Sequence, residues 1–379
     1  NIVRPDYADG AELAAILVIG IVVLFASRWT WAFVPVLALL VGSHFAAAYA
    51  YEKYRVLVDI TAFVFSIALV YIHAYTAKFV SEYLQKQQIK KQFEHYLAPA
   101  MVKKLQQNPD LLKLGGDTRE LTLLFCDIRG FTPISEQYKT NPQGLTALIN
   151  RFLTPMTDII MRNDGTIDKY MGDCIMAFWG APVEDLNHAT SGVVSALSMQ
   201  SKLIELKQSY AQRGWPDIAV GLGLSTGDMT VGDMGSNIRK AYTVMGDSVN
   251  LGSRLEGITR QYGVGILVSE ETQLETQGVL FRDIDMVRVK GKDNPITIYE
   301  PVGLENQVNT ATRTQVEAWN TLVKHYRNQS WNEAEAILKS LIASDPNRKL
   351  YQVYAQRITL FRQDPPPPNW DGVTKFETK

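Results

Sequence analysis

Cysteine is almost absent from this chain: Cys126 and Cys174 are the only two in 379 residues. Both sit in apolar, β-prone runs, where a thiol packs as a small hydrophobe, and no zinc-ligand spacing surrounds them. A disulfide-stapled secreted domain is therefore a poor fit, and a reducing compartment suits this part of the chain. Net charge is equally slight, since 38 Lys and Arg stand against 39 Asp and Glu. Without a basic tract there is no reason to expect nucleic acid as a partner. No Walker A sequence occurs, which argues against a P-loop NTPase. Gly221-Leu222-Gly223-Leu224-Ser225-Thr226-Gly227 comes near a dinucleotide loop but lies within a strand pattern and is set aside.

Hydrophobic residues make up 46% of the chain and are unevenly placed. Residues 11–27, 30–51 and 56–77 are long apolar stretches joined by very short connections. Each approaches the ~20 residues a spanning helix needs, which predicts three transmembrane helices within 11–78. Trp29, Trp31, Tyr49 and Tyr51 flank the second stretch as interfacial aromatics do. Lys78, Lys86, Lys90 and Lys91 follow the third, whereas Asp6, Asp9 and Glu12 precede the first, so the C-terminal side is expected in the cytoplasm. Residues 1–10 then lie outside and read as the tail of an extracytoplasmic domain. His44, Asp59 and His73 fall in or near the spans and are functional candidates by position; a haem-ligating His pair is the sharper reading, a satisfied interhelical hydrogen bond the plainer one.

Residues 79–117 turn polar and helical and read as a cytoplasmic linker. Beyond it, Leu121-Thr122-Leu123-Leu124-Phe125-Cys126 is a buried strand with Asp127 at its C-terminal edge, followed by Ile128-Arg129-Gly130-Phe131-Thr132-Pro133. The turn at Gly130 and a helix opening at Pro133 bring the Phe131 and Thr132 amides toward that carboxylate, a geometry suited to a metal-bound phosphate. A second block, Thr166-Ile167-Asp168-Lys169-Tyr170-Met171-Gly172-Asp173-Cys174-Ile175-Met176-Ala177-Phe178-Trp179, reads as a hairpin with Asp173 at its tip. Two strand-borne acids without clustered His or Cys favour Mg²⁺ or Mn²⁺, two ions clamping an in-line phosphoryl displacement. In a third block, Tyr242 to Glu256, Asn250 and Arg254 are spaced to share a helix face.

Together the three blocks resemble the catalytic domain of class III nucleotidyl cyclases over residues 118–302. The resemblance implies an α+β, ferredoxin-like fold with a mainly antiparallel sheet, its helices expected on one face. Strands are expected near 120–126, 166–170, 174–178, 218–226, 265–269 and 280–289, and helices near 142–163, 187–212 and 246–261, the first kinked at Pro155. It also implies that Asp127, Asp173 and the Ile128 carbonyl hold two Mg²⁺ or Mn²⁺ ions per site. Asn250 would orient the ribose, Arg254 would stabilise the pentavalent phosphate, and Lys290 would contact phosphate. Lys169 and Thr243 match the pair that reads the base. Guanylate cyclases typically carry Glu and Cys there, so the pair implies ATP; it resembles a mainly bacterial subgroup that bicarbonate can stimulate. The implied protein is a homodimeric adenylate cyclase of the inner membrane, its catalytic domain cytoplasmic and its sites at the dimer interface. Three helices ahead of such a domain resemble receptors with a sensor of the second CHASE type. A guanylate cyclase and a catalytically silent nucleotide-binding module remain alternatives. A diguanylate cyclase does not, since its Gly-Gly-Asp/Glu-Glu-Phe signature is missing.

After Val302 apolar residues recur at helical spacing from Val316 to Leu341, which predicts a helical hairpin resembling one tetratricopeptide unit over 303–379. Asp364-Pro365-Pro366-Pro367-Pro368-Asn369-Trp370 opens an extended tail.

Overall fold

A computed structural model describes residues 33–56, 60–93, 99–107, 116–236, 238, 240–289 and 294–376, with isolated helical positions at 10, 14 and 17. The chain divides into two compact units, Asn1–Gln92 and Phe93–Lys379.

In the first unit, α1 (Phe33–Tyr54) and α2 (Thr61–Phe93) are separated by Arg55, whose φ of 57° breaks the helical path. Leu37, Phe45, Phe65, Leu69 and Ile72 are exposed on these helices, while Ile67 is buried against Leu40, Val70 and Tyr71. Val64–Lys90 is long and apolar enough to cross a membrane and is the single such helix among the described residues. The stretch 11–27 and Asp59 lie outside the described residues, Ala14 and Leu17 excepted. The third apolar stretch does not stop at residue 77: α2 continues unbroken through the polar segment to Phe93. Its 33 residues contain neither Gly nor Pro, so the apolar stretch and the polar residues up to Phe93 form one rod roughly 50 Å long.

The second unit opens with α3 (Pro99–Gln107) and is built on a sheet ordered β2-β3-β1-β4-β6-β8-β7-β9, with β5 pairing β4. The strands are β1 (Asp117–Ile128), β2 (Thr166–Met171), β3 (Cys174–Trp179), β4 (Val220–Gly235), β5 (Lys240–Met245), β6 (Ile266–Ser269), β7 (Val279–Val289), β8 (Ile296–Leu304) and β9 (Val373–Phe376). With α5 (Pro142–Arg162) and α6 (His188–Ala211), the first four strands give the βαββαβ order and antiparallel pairing of a ferredoxin-like core. The sheet is mixed, because β4–β6 and β7–β9 run parallel. Helix α5 continues through Pro155 to Arg162.

Helices cover both faces rather than one. Leu124, Cys126 and Ile128 point into the core under α5 and α6, whereas Leu123 and Phe125 belong to a cluster on the other face with Met176, Met229 and Val249. An uninterrupted apolar run such as Leu121–Cys126 is buried on both sides, as a centrally placed strand requires. The second face carries α7 (Asp247–Tyr262), and α8 (Glu270–Glu275) follows β6.

The C-terminal segment is larger than a hairpin. It forms α9 (Thr310–Arg327), α10 (Trp331–Ser344) and α11 (Lys349–Gln363), then returns as β9 to pair with β7. Trp319 stacks on Tyr351 and donates its indole N–H to the Asp283 carbonyl. These helices share one core with Leu255 of α7 and with Ile284 and Val287 of β7, so they complete the sheet's second face. The proline run is likewise not a free tail. It delivers Trp370 against Tyr326 and Phe361 and sets Val373 beside Met286. Helical periodicity reveals amphipathic helices, but β7, the strand they cover, ends 21 residues before α9 begins and leaves no local mark.

Candidate active site

Asp127 lies one residue before the end of β1, opposite Gly221. The β2–β3 hairpin turns at Gly172 and Asp173, where Gly172 takes φ 69° with open space around it. This brings the second carboxylate to the first. Asp173 accepts the Ile128 N–H at 3.2 Å, yet its carboxyl is pushed up to about 7, by burial first and then by the charge of Asp127. Such a pair holds more negative charge than its surroundings compensate, and a divalent cation relieves that imbalance. Its oxygen-only donors fit Mg²⁺ or Mn²⁺.

A third carboxylate, missed in the sequence, stands nearby. Glu256 of α7 is pushed up to about 7 by burial and then by Asp127, while Arg129 opposes the shift. Arg129, whose guanidinium donates to the Val264 carbonyl, is lowered by its own burial. An acid in the middle of an amphipathic helix reads as solvated, so only the pairing of α7 with the sheet discloses Glu256.

Asn250 and Arg254 project from the first half of α7, Asn250 exposed and Arg254 half-buried. Their placement depends on glycine. Gly221 and Gly223 on β4 face α7 so closely that added Cβ atoms would collide with Glu256, and Gly252 seats the helix over Leu123 and Phe125. The near-dinucleotide loop is thus a groove for a helix.

Lys169 and Thr243, 74 residues apart, come together with Nζ 3.4 Å from Oγ1. Between them lies Asp168, another residue the sequence did not single out. Its side chain is 1% exposed, one oxygen 3.1 Å from the Lys169 ammonium and the other accepting the Thr243 hydroxyl at 2.5 Å.

Residues 116–300 match the family model described as the adenylate and guanylate cyclase catalytic domain. This segment belongs to the class III nucleotidyl cyclases. Adenylate cyclase 1 of Rhizobium meliloti (strain 1021) is 34% identical to it over 193 residues, covering 51% of this chain and 29% of that protein. The adenylate cyclase of Anabaena cylindrica is 38% identical over 191 residues, 48% of this chain and 37% of its own. The chain thus spans about a third of the length of these curated relatives. Among solved structures, the adenylyl cyclase CyaB from P. aeruginosa and the guanylyl cyclase Cya2 are each 34% identical, covering 52% of this chain and 100% and 98% of theirs, both with TM-score 0.48.

Phe131 and Thr132 are the first two residues of α4 (Phe131–Gln137), preceded by Gly130 at φ 67°. Their N–H groups are among those a helix leaves without internal partners. Lys290 lies outside the described residues. A separate group, Glu120, His188 and Glu275, brings one ligand atom each within 4.8 Å of the others. Glu120 is seven residues from Asp127 along β1, roughly 23 Å, too far to serve the same ion. Glu275 is pushed up to about 7, by burial and then by Glu120, and His188 accepts or donates through Nδ1 to Thr122 at 2.9 Å.

Proposed function

We propose that this chain is a membrane-bound adenylate cyclase converting ATP to 3′,5′-cyclic AMP and pyrophosphate at sites formed between two copies. The observation that carries the choice of nucleotide is the meeting of Lys169 and Thr243 at 3.4 Å. Adenine offers an acceptor at N1 and a donor at N6, which an ammonium and a threonine oxygen complement; guanine reverses both. The relatives named adenylate cyclase support the same reading.

The ribose 3′-oxygen attacks the α-phosphorus, the bond to the bridging β-oxygen breaks, and pyrophosphate leaves. Asp127, Asp173 and the Ile128 carbonyl would hold two Mg²⁺ or Mn²⁺ ions, which would supply Lewis acidity and offset the triphosphate charge. Asn250 orients the ribose so that its oxygen stands in line. Arg254 presents a fixed positive charge where negative charge grows on the α-phosphate. Lys290 and the Phe131 and Thr132 amides hold the remaining phosphates. Purified protein given Mn²⁺ with ATP or GTP tests this: cyclic AMP is the expected product. Cyclic GMP alone would favour a guanylate cyclase, and no turnover a silent module.

Apolar side chains exposed along α1 and α2 support membrane insertion. On this reading three helices span the inner membrane and the catalytic domain is cytoplasmic. The chain is expected to stay with membranes after alkaline washing; release into the soluble fraction would remove this part of the proposal.

A further inference from the structure

We propose that Asp168 is a specificity-positioning residue, which fixes the proton of Thr243 and thereby makes the threonine oxygen an acceptor toward the base. The inference rests on the reading of Lys169 and Thr243 as the base-recognising pair.

A threonine hydroxyl has one proton and rotates freely, so by itself it donates to a guanine oxygen as readily as it accepts from an adenine amine. Selectivity requires something to take the proton. In this structure the Thr243 hydroxyl donates to Asp168 Oδ2 at 2.5 Å. A carboxylate is acceptor-only, so the direction of that bond is not ambiguous. The Val244 N–H reaches the same oxygen at 3.4 Å, which ties β5 to β2 beside the threonine. The other oxygen, Oδ1, stands 3.1 Å from the Lys169 ammonium. One carboxylate therefore fixes both members of the pair, holding Thr243 as acceptor and Lys169 as donor.

The backbone explains how adjacent residues serve one site. Along a regular strand Asp168 and Lys169 would point to opposite faces. Pairing of β2 with β3 slips between Ile167, opposite Ala177, and Lys169, opposite Met176, so Asp168 is the extra residue of a bulge. A bulge re-aims side chains, and here both turn toward β5.

The test measures kcat/KM for ATP and for GTP separately in the full chain. Asp168→Asn is the main variant because it keeps shape but offers an acceptor on one side only. With its oxygen toward Lys169, the amide donates to Thr243 and turns that proton toward the base; with its oxygen toward Thr243, the lysine faces a donor. Either arrangement is expected to lower the ATP/GTP ratio by about tenfold. Thr243→Val is expected to lower it by a similar factor, and the double variant by less than about threefold more, since both act through one hydroxyl. Asp168→Ala, with its thermal midpoint measured alongside, serves as a second probe.

If Thr243→Val leaves the ratio unchanged, the base-reading assignment itself falls. If Thr243→Val shifts the ratio while Asp168→Asn lowers both nucleotides equally, or the two effects simply multiply, Asp168 only pins β5 and the proposal is overturned.

Discussion

Gly223 lies so close beneath Glu256 that a Cβ built on it would stand 2.2 Å from the Glu256 backbone nitrogen. The Gly252 carbonyl oxygen would be 2.3 Å away, so neither obstacle is a flexible side chain. Gly223→Ala must therefore lift α7 from the sheet. A destabilisation of about 2–3 kcal/mol is expected, together with a loss of cyclase activity beyond what unfolding explains, because Asn250 and Arg254 ride on that helix. Gly257→Ala, with nothing within 4 Å of its added Cβ, is expected to be neutral or stabilising by up to about 1 kcal/mol. Urea denaturation and kcat for the two variants check this.

Asp127→Asn and Asp173→Asn each remove metal-binding charge with little change in volume. Both are expected to reduce cyclisation at least a thousandfold, on the order of 4 kcal/mol in barrier, while thermal midpoints are kept or raised. Substantial turnover by either variant would remove the paired-acid assignment.

The pH dependence of the metal-free protein has a definite sign. Asp173 lies at about 7 in the fold against an ordinary value of 3.8, so the folded chain holds a proton that the unfolded chain has released. Its stabilising contribution is complete below about 4 and is lost as the pH rises toward and through about 7. Thermal midpoints should fall over that window, and Asp173→Asn should flatten the part due to this group. Saturating Mn²⁺ should reverse the fall, because the ion binds the deprotonated pair.

Asp285 is fully buried and accepts from Tyr262, Arg357 and Thr374, residues of α7, α11 and β9. Asp285→Ala leaves the Arg357 guanidinium buried without its partner, which costs about 3–5 kcal/mol. A chain ending at residue 302 would expose Ile284, Val287 and Ile298 and is expected to be insoluble or molten. A stable, active 93–302 fragment, judged by calorimetry and turnover, would contradict this.

The interfacial site can be tested by mixing defects. Neither Asp127→Ala nor Asn250→Ala homodimers should turn over. Co-expressed, random pairing gives half heterodimers with one intact site each, hence about a quarter of wild-type activity. Verified heterodimers without recovered activity would place both residues in a site within one chain.

Much of this protein is local and therefore written in its sequence. The run from Leu121 to Cys126, the turn at Gly172 and the helix from Asp247 follow from apolar patterning and from glycine's freedom, and they deliver Asp127, Asp173, Asn250 and Arg254. The helical character of residues past 310 was equally legible. What only the tertiary structure decided are the relationships between distant segments. The Gly221 and Gly223 groove acquires its purpose once α7 lies on it, and the helices after Val302 become part of the core once β9 finds β7. Asp168 and Glu256 gain their roles in the same way. Sequence shows an acid among strand or helix residues; its burial, its partner's proton and the charge it must share depend on segments 75 or more residues away that packing brings alongside it.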